Sequence, residues 1–252
     1  MTVELEGGCL VTTIDAGEAI TQGNVKIRHQ VGHHTGAQAI SLRVLEFGEG
    51  LSKGIRNPDC DAVQYVLAGS GKLFVAGQAY DLEPDMGIYI KPEETFAIEN
   101  PNREALVLIS CECPEPQTPS AFVEWRAAPH SQTDKPRRCV RLADRKAQST
   151  ADRWYRVLID TEVGSQQVTQ FVGSIPPGRA PDHFHTYEEV IVILRGTGRM
   201  WAGKTHTPIA QGSCIFLPKK QVHCLENTGD GELRLLGIFY PAGSPAVRYD
   251  AK

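Results

Sequence analysis

Apolar residues along this chain occur in short runs separated at close intervals by Gly, Pro, Asn and Asp. Runs of this kind, rich in β-branched residues, are typical of β-strands bounded by turns. Almost no window has the three-to-four-residue spacing of apolar positions that a long core helix needs. The pattern therefore predicts an all-β protein, an antiparallel sandwich or barrel. Clear examples of the runs are QYVLAG, GIYIKP, ALVLIS, VTQFVGSI, EVIVIL, CIFLP and LRLLGIFY.

The strand pattern occurs twice along the 252 residues. Turn residues and alternation match between the halves, since Gly50 falls opposite Gly178 and YVLAGSGKLFVAG falls opposite VILRGTGRMWAG. Self-similarity at a fixed displacement indicates a duplicated structural unit. We therefore predict a first barrel over residues 1–115, a linker rich in Pro and charged residues over 116–150, and a second barrel over 151–252.

Composition narrows the range of partners. Lys and Arg are scattered along a chain whose formal net charge is -4, so no basic stripe marks a nucleic-acid or phospholipid surface. No uncharged apolar run approaches the roughly 20 residues that a membrane helix needs. We expect a small-molecule partner, no nucleic acid and no membrane. Exposed edges of the predicted sheets favour a homodimer.

The N-terminal segment and the cysteines bear on location. MTVELEGGCLVTTIDAGEAI carries acids and glycines where a signal peptide has a basic start and an unbroken apolar core. The seven cysteines are an odd number, and they form no complete zinc-binding pattern. We therefore expect reduced thiols in a cytoplasmic protein.

Four residues of the second half are candidate metal ligands. His183, His185 and Glu189 are separated by even steps, so on an extended strand their side chains leave the same face, whereas Glu188 leaves the opposite one. His223 comes from a separate predicted strand. A barrel that brings the two strands together would gather three imidazoles and one carboxylate. A single histidine pair on a strand is more often an ordinary surface or buried pair than a metal site. The residues around the pair are therefore needed to distinguish the two interpretations.

That wider pattern resembles the two motifs of the cupin superfamily, approximately G(x)5HxH(x)3E(x)6G and G(x)5PxG(x)2H(x)3N. The first motif is matched by His183, His185, Glu189 and Gly196, and the second by Gly212, Pro218, His223 and Asn227. Gly178 lies one residue closer to the first histidine than usual, and Lys220 replaces the glycine of the second motif. The resemblance implies a bicupin, two tandem double-stranded β-helix (jelly-roll) barrels, with one divalent transition metal in the C-terminal barrel.

The first half offers an internal control. Opposite the ligand positions it carries Arg56, Pro58, Ala62 and, depending on where a one-residue slip is placed, Phe96 or Ala97. None of these side chains is a usual ligand for a transition metal. We therefore expect an N-terminal barrel that has lost the site.

The predicted ligand set limits the metal and leaves the reaction open. Three imidazoles and a carboxylate without thiolate disfavour structural zinc and leave Fe, Mn, Ni, Co, Cu or a catalytic Zn. Resemblance to metal-binding cupins implies an enzyme acting on a small oxygenated molecule, with a dioxygenase-type oxidoreductase as the first expectation. A metal-dependent isomerase, hydrolase or lyase without redox chemistry is an alternative, as is a non-enzymatic binding protein.

Two further residues are candidate catalytic groups. Tyr187 shares the face of His185 and Glu189 if the strand stays regular, and its hydroxyl could contact a substrate, although a barrel-lining aromatic is an equal interpretation. Arg199 lies on the next predicted strand, where it could neutralise a substrate carboxylate or lie on the surface.

Overall fold

The computed structural model describes residues 2–118, 120–126, 137–150, 153–247 and 249–250. Strands dominate this part of the chain, and its helical content is three 3-10 turns, Glu6–Gly8, His33–Thr35 and Leu142–Asp144. No helix among the described residues is long and apolar enough to cross a membrane. The prediction of an all-β protein is confirmed.

The strands follow one another at the short intervals that the sequence predicts. Those from the first half and the segment after it are β1 (Val3–Glu4), β2 (Leu10–Thr13), β3 (Ile20–Gln22), β4 (Val25–Val31), β5 (Leu42–Phe47), β6 (Gly50–Leu51), β7 (Gly54–Arg56), β8 (Asp61–Ala68), β9 (Gly71–Val75), β10 (Gln78–Leu82), β11 (Met86–Ile90), β12 (Thr95–Asn100), β13 (Leu106–Cys113), β14 (Ala121–Val123), β15 (Cys139–Arg141) and β16 (Gln148–Thr150). The later strands are β17 (Arg153–Ile159), β18 (Thr169–Ile175), β19 (Gly178–Arg179), β20 (His183–Phe184), β21 (Glu188–Arg195), β22 (Thr197–Ala202), β23 (Thr205–Ala210), β24 (Ser213–Leu217), β25 (His223–Asn227), β26 (Leu233–Tyr240) and β27 (Tyr249–Asp250).

Each half of the chain supplies most of one barrel, and each barrel consists of two antiparallel sheets. The N-terminal barrel has the sheet β15-β11-β8-β13-β5-β4-β3 and the sheet β10-β9-β12-β7-β14, to which β6 adds through β12. The C-terminal barrel has the sheet β1-β2-β24-β21-β26-β18-β17-β16 and the sheet β23-β22-β25-β20-β27, with β19 beside β25. The predicted pair of barrels is confirmed.

The barrels exchange strands reciprocally. β2 precedes the first barrel in sequence but pairs with β24 of the second, with Leu10 opposite Phe216. β15 precedes the second barrel but pairs with β11 of the first, with Cys139 opposite Ile88. β14, also in the predicted linker, pairs with β7. The division at residues 115 and 150 stays a prediction, and sheet membership departs from it at these strands.

A shared apolar core joins the barrels. It contains Val63 and Ile109 from the seven-stranded sheet together with Val190 and Phe216 from the eight-stranded sheet, all buried. Separate clusters fill the interior of each barrel. Strands between two cores are covered on both faces, which explains the continuous apolar run of β21.

Two buried carboxylates cross the barrel interface in pseudo-symmetric positions. Glu188, at the start of β21, accepts hydrogen bonds from the backbone N–H groups of Gln38 and Ala39, the shortest being 2.8 Å. Asp61, at the start of β8, accepts hydrogen bonds of 3.0 Å from the backbone N–H groups of residues 166 and 167. Each carboxylate thus binds a loop of the opposite barrel, and the backbone amides of that loop supply the hydrogen bonds that a buried carboxylate needs.

We predict that Asp61→Asn and Glu188→Gln each lower the free energy of unfolding by about 1–3 kcal/mol, because each carboxylate accepts hydrogen bonds at both of its oxygens, whereas an amide offers one acceptor oxygen and no charge. Chemical denaturation of the purified protein measures the change. Asp59→Asn is the control, because this carboxylate is exposed, and it should leave stability within about 0.5 kcal/mol. Equal stability of all three variants would contradict the interface role.

Candidate metal centre

The four predicted ligands meet at one end of the C-terminal barrel. His183 on β20 lies directly opposite His223 on β25 in the antiparallel register. His185 belongs to the short link between β20 and β21. Glu189 is the second residue of β21, and its side chain leaves the face opposite to that of Glu188, into the barrel. The even spacing of the sequence thus corresponds to a common direction in the structure.

The three imidazoles form a compact donor group. One nitrogen from each of His183, His185 and His223 lies within 4.8 Å of the others. Their ring centroids are separated by 4.5 Å for the pair His183–His223 and by 5.0 Å for His183–His185. The carboxylate of Glu189 adjoins this group, with Oε2 3.4 Å from Nε2 of His185. The arrangement supplies three nitrogen donors and one oxygen donor.

Backbone carbonyls orient two of the rings. Nδ1 of His183 lies 3.0 Å from the carbonyl oxygen of Pro181, and Nδ1 of His223 lies 2.8 Å from that of Gln221. A carbonyl only accepts, so Nδ1 carries the proton in both rings and the lone pair of Nε2 is left for the centre. Metal-binding histidines commonly have this arrangement.

Burial favours the neutral form of these side chains. The pKa of His185 falls to about 3 through burial and the nearby imidazoles of His223 and His183, and burial lowers that of His223 to about 4. Burial raises the pKa of Glu189 to about 8. Neutral imidazoles beside a buried carboxyl group are the donor chemistry of a divalent transition-metal site, so the residues fit such an ion.

The donor group borders a cavity of about 120 Å³ that opens to solvent. All four predicted ligands line it, and most of the remaining wall is apolar. Tyr187 also lines the cavity, with its ring stacked on His185 at 4.7 Å and on Phe239 at 4.6 Å. Its position meets the requirement for contact with a substrate, and its catalytic role stays a prediction.

The prediction that Arg199 contacts a substrate requires correction. Along β22 the side chains of Met200 and Ala202 are buried inside the barrel, so alternation directs Arg199 to the outer surface. Its side chain is 46% exposed and lies 3.3 Å from the carboxylate of Glu226. Arg199 is therefore absent from the described cavity wall, and an ion pair on the outer face accounts for its position.

Sequence reasoning missed the aromatic wall formed by Tyr155 and Phe171, which lies beside the donor group. Phe171 packs edge-on against Tyr155 and Phe239. Gly237 makes room for it, because a Cβ there would lie 2.3 Å from the ring of Phe171. A glycine inside the apolar run LRLLGIFY was the available signal, since such a glycine often marks a close approach.

The N-terminal barrel carries apolar side chains at the corresponding positions. Ile55 pairs with Phe96 as His183 pairs with His223, so Ile55, and not Arg56 as the sequence alignment predicts, takes the place of the first histidine. Both side chains, with Ala62, belong to the core that fills this barrel. Within the described ranges, the one group of candidate ligand atoms is that of the C-terminal barrel.

The departure at Lys220 has a conformational consequence. Its φ of 65° lies in the left-handed region that favours glycine, the residue that the cupin motif has at this position. The backbone N–H of Lys220 donates a 2.7 Å hydrogen bond to the carbonyl of His185, so this turn supports a candidate ligand.

We predict that Lys220→Gly raises the free energy of unfolding by about 0.5–1 kcal/mol, because relief of the left-handed strain exceeds the entropy cost of glycine. Thermal or chemical denaturation measures it. Lys219→Gly is the matched control, since the neighbouring lysine is also exposed but is not among the residues with positive φ, and it should lower stability. A loss of stability in both variants would contradict the account of the turn.

Sequence comparison places the site within a known domain type. Residues 171–239 match the family model described as a cupin domain. Auxin-binding protein 1 of Arabidopsis thaliana is 33% identical over 85 residues, which cover 30% of this chain and 43% of that protein. An uncharacterised protein of Methanocaldococcus jannaschii is 35% identical over 57 residues, covering 23% of this chain and 46% of that protein. The chain thus spans less than half the length of these curated relatives.

Solved structures extend the likeness to both barrels. One matching structure comes from a study of substrate binding and reaction specificity in oxalate decarboxylase. The match covers 93% of this chain and 77% of the oxalate decarboxylase chain, with a TM-score of 0.76 and 12% sequence identity. Oxalate decarboxylase from Bacillus subtilis, determined at pH 4.6, covers 92% and 76% with a TM-score of 0.74 and 12% identity. The second half of the chain thus contains a cupin domain, and the fold of the whole chain is similar to that of these oxalate decarboxylase structures.

Proposed function

We propose that this protein is a metal-dependent enzyme that binds one divalent transition metal through His183, His185, Glu189 and His223 and acts on a small oxygenated molecule. The observation that carries the proposal is the group of three imidazoles and a buried carboxylate at the inner end of an open cavity. Structural relatives whose names include oxalate decarboxylase support an enzyme of this general class. The metal is one of Fe, Mn, Ni, Zn, Co or Cu.

A bound divalent ion would supply Lewis-acid chemistry and, if redox-active, electron transfer to substrate or dioxygen. The residues around it have separate tasks. Pro181 and Gln221 fix the two imidazoles through their carbonyl oxygens, and Tyr187 holds the ring of His185 by stacking. Apolar walls exclude bulk water from the inner end of the cavity and so strengthen electrostatic interactions there.

Within this class, oxidation by dioxygen is the reaction that we propose first. Dioxygen is small and apolar, and the cavity wall is mainly apolar, which suits such a co-substrate. A reaction without a redox step, as in a lyase, isomerase or hydrolase, is the alternative, and the oxalate decarboxylase relatives favour a lyase within that group.

A binding protein is the second candidate function. The observation in its favour is the match to a relative named for binding auxin. The metal would then hold a ligand without turnover.

The proposals of a homodimer and of a cytoplasmic location are independent of the choice between an enzyme and a binding protein. Analytical ultracentrifugation tests the homodimer, and cell fractionation tests the location.

Elemental analysis after purification without chelators tests the metal site. We predict about one transition-metal ion per chain in the wild-type protein and less than about one tenth of that in His185→Ala, because the variant loses a buried nitrogen donor. His206→Ala is the control, since His206 is exposed and packs against Trp201 on the outer face. Equal metal content in both variants, or none in the wild type, would contradict the proposal.

Oxygen electrode measurements separate the reaction classes. With metal-loaded protein and a panel of diketones, catechols and hydroxy acids, an oxygenase consumes dioxygen in proportion to substrate loss, and its activity disappears under anaerobic conditions. Turnover that continues without dioxygen would assign a lyase, isomerase or hydrolase instead. Saturable binding without turnover of any compound would favour the binding protein.

A further inference from the structure

The N-terminal barrel carries a row of polar side chains across four neighbouring strands. Gln64 on β8, Ser110 on β13 and Arg43 on β5 lie side by side, because the register pairs Ser110 with both of the others. His29 on β4 lies opposite Arg43 and continues the row. Directly paired residues of adjacent antiparallel strands have Cβ atoms roughly 5 Å apart, so these side chains form one continuous patch.

Alternation along the strands places this polar row inside the barrel. The neighbours of Gln64 along β8, Val63 and Tyr65, belong to the core shared by the two barrels. Ala62 and Val66, two residues to either side, belong to the interior of the N-terminal barrel. The same division holds along β13 and β5. Because residues two apart on a strand share a face, the row points into the interior.

The same positions of the C-terminal barrel are apolar. There the register pairs Gly237 with Ile191 and with Phe171. Ile191 thus takes the place of Gln64, and Phe171 takes the place of Arg43. Both apolar side chains line the cavity beside the candidate metal centre. The polar row therefore corresponds to the wall of that cavity, and the sheet forms in the other barrel without polar groups at these positions.

Three atoms of the polar row have no hydrogen-bond partner within the described part of the chain. They are Nε of Arg43, Oε1 of Gln64 and Oγ of Ser110. All three residues are buried, with Ser110 0% and Arg43 7% exposed. A buried polar group without a partner is costly and rare in folded proteins. Three such groups on adjacent strands indicate a molecule from outside the chain that satisfies them.

We infer that the polar row binds a small neutral molecule that carries a hydrogen-bond donor and an acceptor, such as a primary carboxamide or a urea. Oε1 of Gln64 only accepts, so the ligand donates to it, and Nε of Arg43 only donates, so the ligand accepts from it. The hydroxyl of Ser110 serves in either role. This second site requires no metal and is separate from the candidate metal centre.

Charge around the polar row favours a neutral ligand over an anion. The guanidinium of Arg43 forms an ion pair with the carboxylate of Glu112, and both side chains are buried. Burial and the guanidinium of Arg43 lower the pKa of His29, so this imidazole is neutral near neutral pH. A carboxylate ligand would therefore lie close to Glu112 without a cation of its own, which is unfavourable in a buried site.

The polar row reaches the surface at one end. Gln64 and Ser110 are fully buried, whereas His29 is exposed. The strand that carries His29, β4, lies next to β3 at the end of its sheet. A small molecule therefore has access to the buried part of the row from the side of β4.

An NMR titration of the isotope-labelled full-length protein, treated with a chelator to remove metal, tests this inference. We expect acetamide to bind saturably with a dissociation constant on the order of millimolar, with the shifted amide signals on β5, β8 and β13. Acetone has the same shape but no donor, and acetate is charged, so each should bind about fivefold more weakly or less. Equal binding of all three, or no binding of acetamide, would overturn the inference.

A variant in the polar row isolates the contribution of one amide. Gln64→Met keeps the length of the side chain and should weaken acetamide binding about fivefold or more. The midpoint of chemical denaturation should not fall, because the variant removes a buried acceptor that has no partner. Gln22→Met on β3 is the matched control, because Gln22 is exposed, and it should change neither quantity. Unchanged acetamide affinity in Gln64→Met would exclude the row as the binding site.

His185→Ala separates this site from the candidate metal centre. The variant should bind acetamide as the wild type does, because the polar row lies in the other barrel. Loss of acetamide binding in His185→Ala would assign the ligand to the C-terminal cavity and overturn the second site. A crystal soaked in acetamide that shows only water beside Ser110 would overturn it as well.

Discussion

The interface between the two barrels is the constraint on which the rest of this structure depends. Each barrel presents a sheet to the other, and the apolar side chains of both merge into one core. Exchange of β2 and β15 extends each sheet with a strand from outside its own half. Because neither sheet can bury both faces alone, the duplicated halves stabilise one another.

This interface also determines where the candidate ligands lie. β21 is held from one side by Glu188, whose carboxylate binds two amides of the opposite barrel, and by its neighbours β24 and β26. Its other face carries Glu189 into the cavity. Since adjacent residues of a strand leave opposite faces, fixing Glu188 in the interface fixes the direction of Glu189.

Local spacing was enough to predict the parts of the site that a single strand controls. The even steps from His183 to Glu189 and the motif around His223 predicted that these candidate ligands face one centre, and the repeat predicted two barrels. Contacts between residues far apart in the sequence could not be predicted from local spacing. Alternation along the strand shows that Glu188 and Glu189 lie on opposite faces. The face that carries Glu188 is buried because the other barrel packs against it, and the spacing along the strand does not show this. For Arg199 the sequence left a catalytic and a surface position open, because the pattern gives two faces of a strand without saying which one lines the cavity.

The aromatic wall and the exchanged strands show the same limit. Phe171 reaches the cavity because Gly237, on another strand, has no side chain. The pairing of β2 with β24 joins residues some 200 positions apart, and no local signal specifies such a contact. Within each barrel, by contrast, turns and alternation set the strands that follow one another directly, and these the sequence predicted well.

The two barrels differ at the position where the C-terminal one gathers its candidate ligands. The same fold holds donors at one site and a packed Ile55–Phe96 pair at the other. An anomalous difference map from crystals grown with Mn²⁺ shows whether an ion binds in one barrel or in both. The account predicts one peak per chain, bounded by the Nε2 atoms of His183, His185 and His223 and the carboxylate of Glu189. A map without a peak at those atoms, or with an equal peak inside the N-terminal barrel, would contradict it.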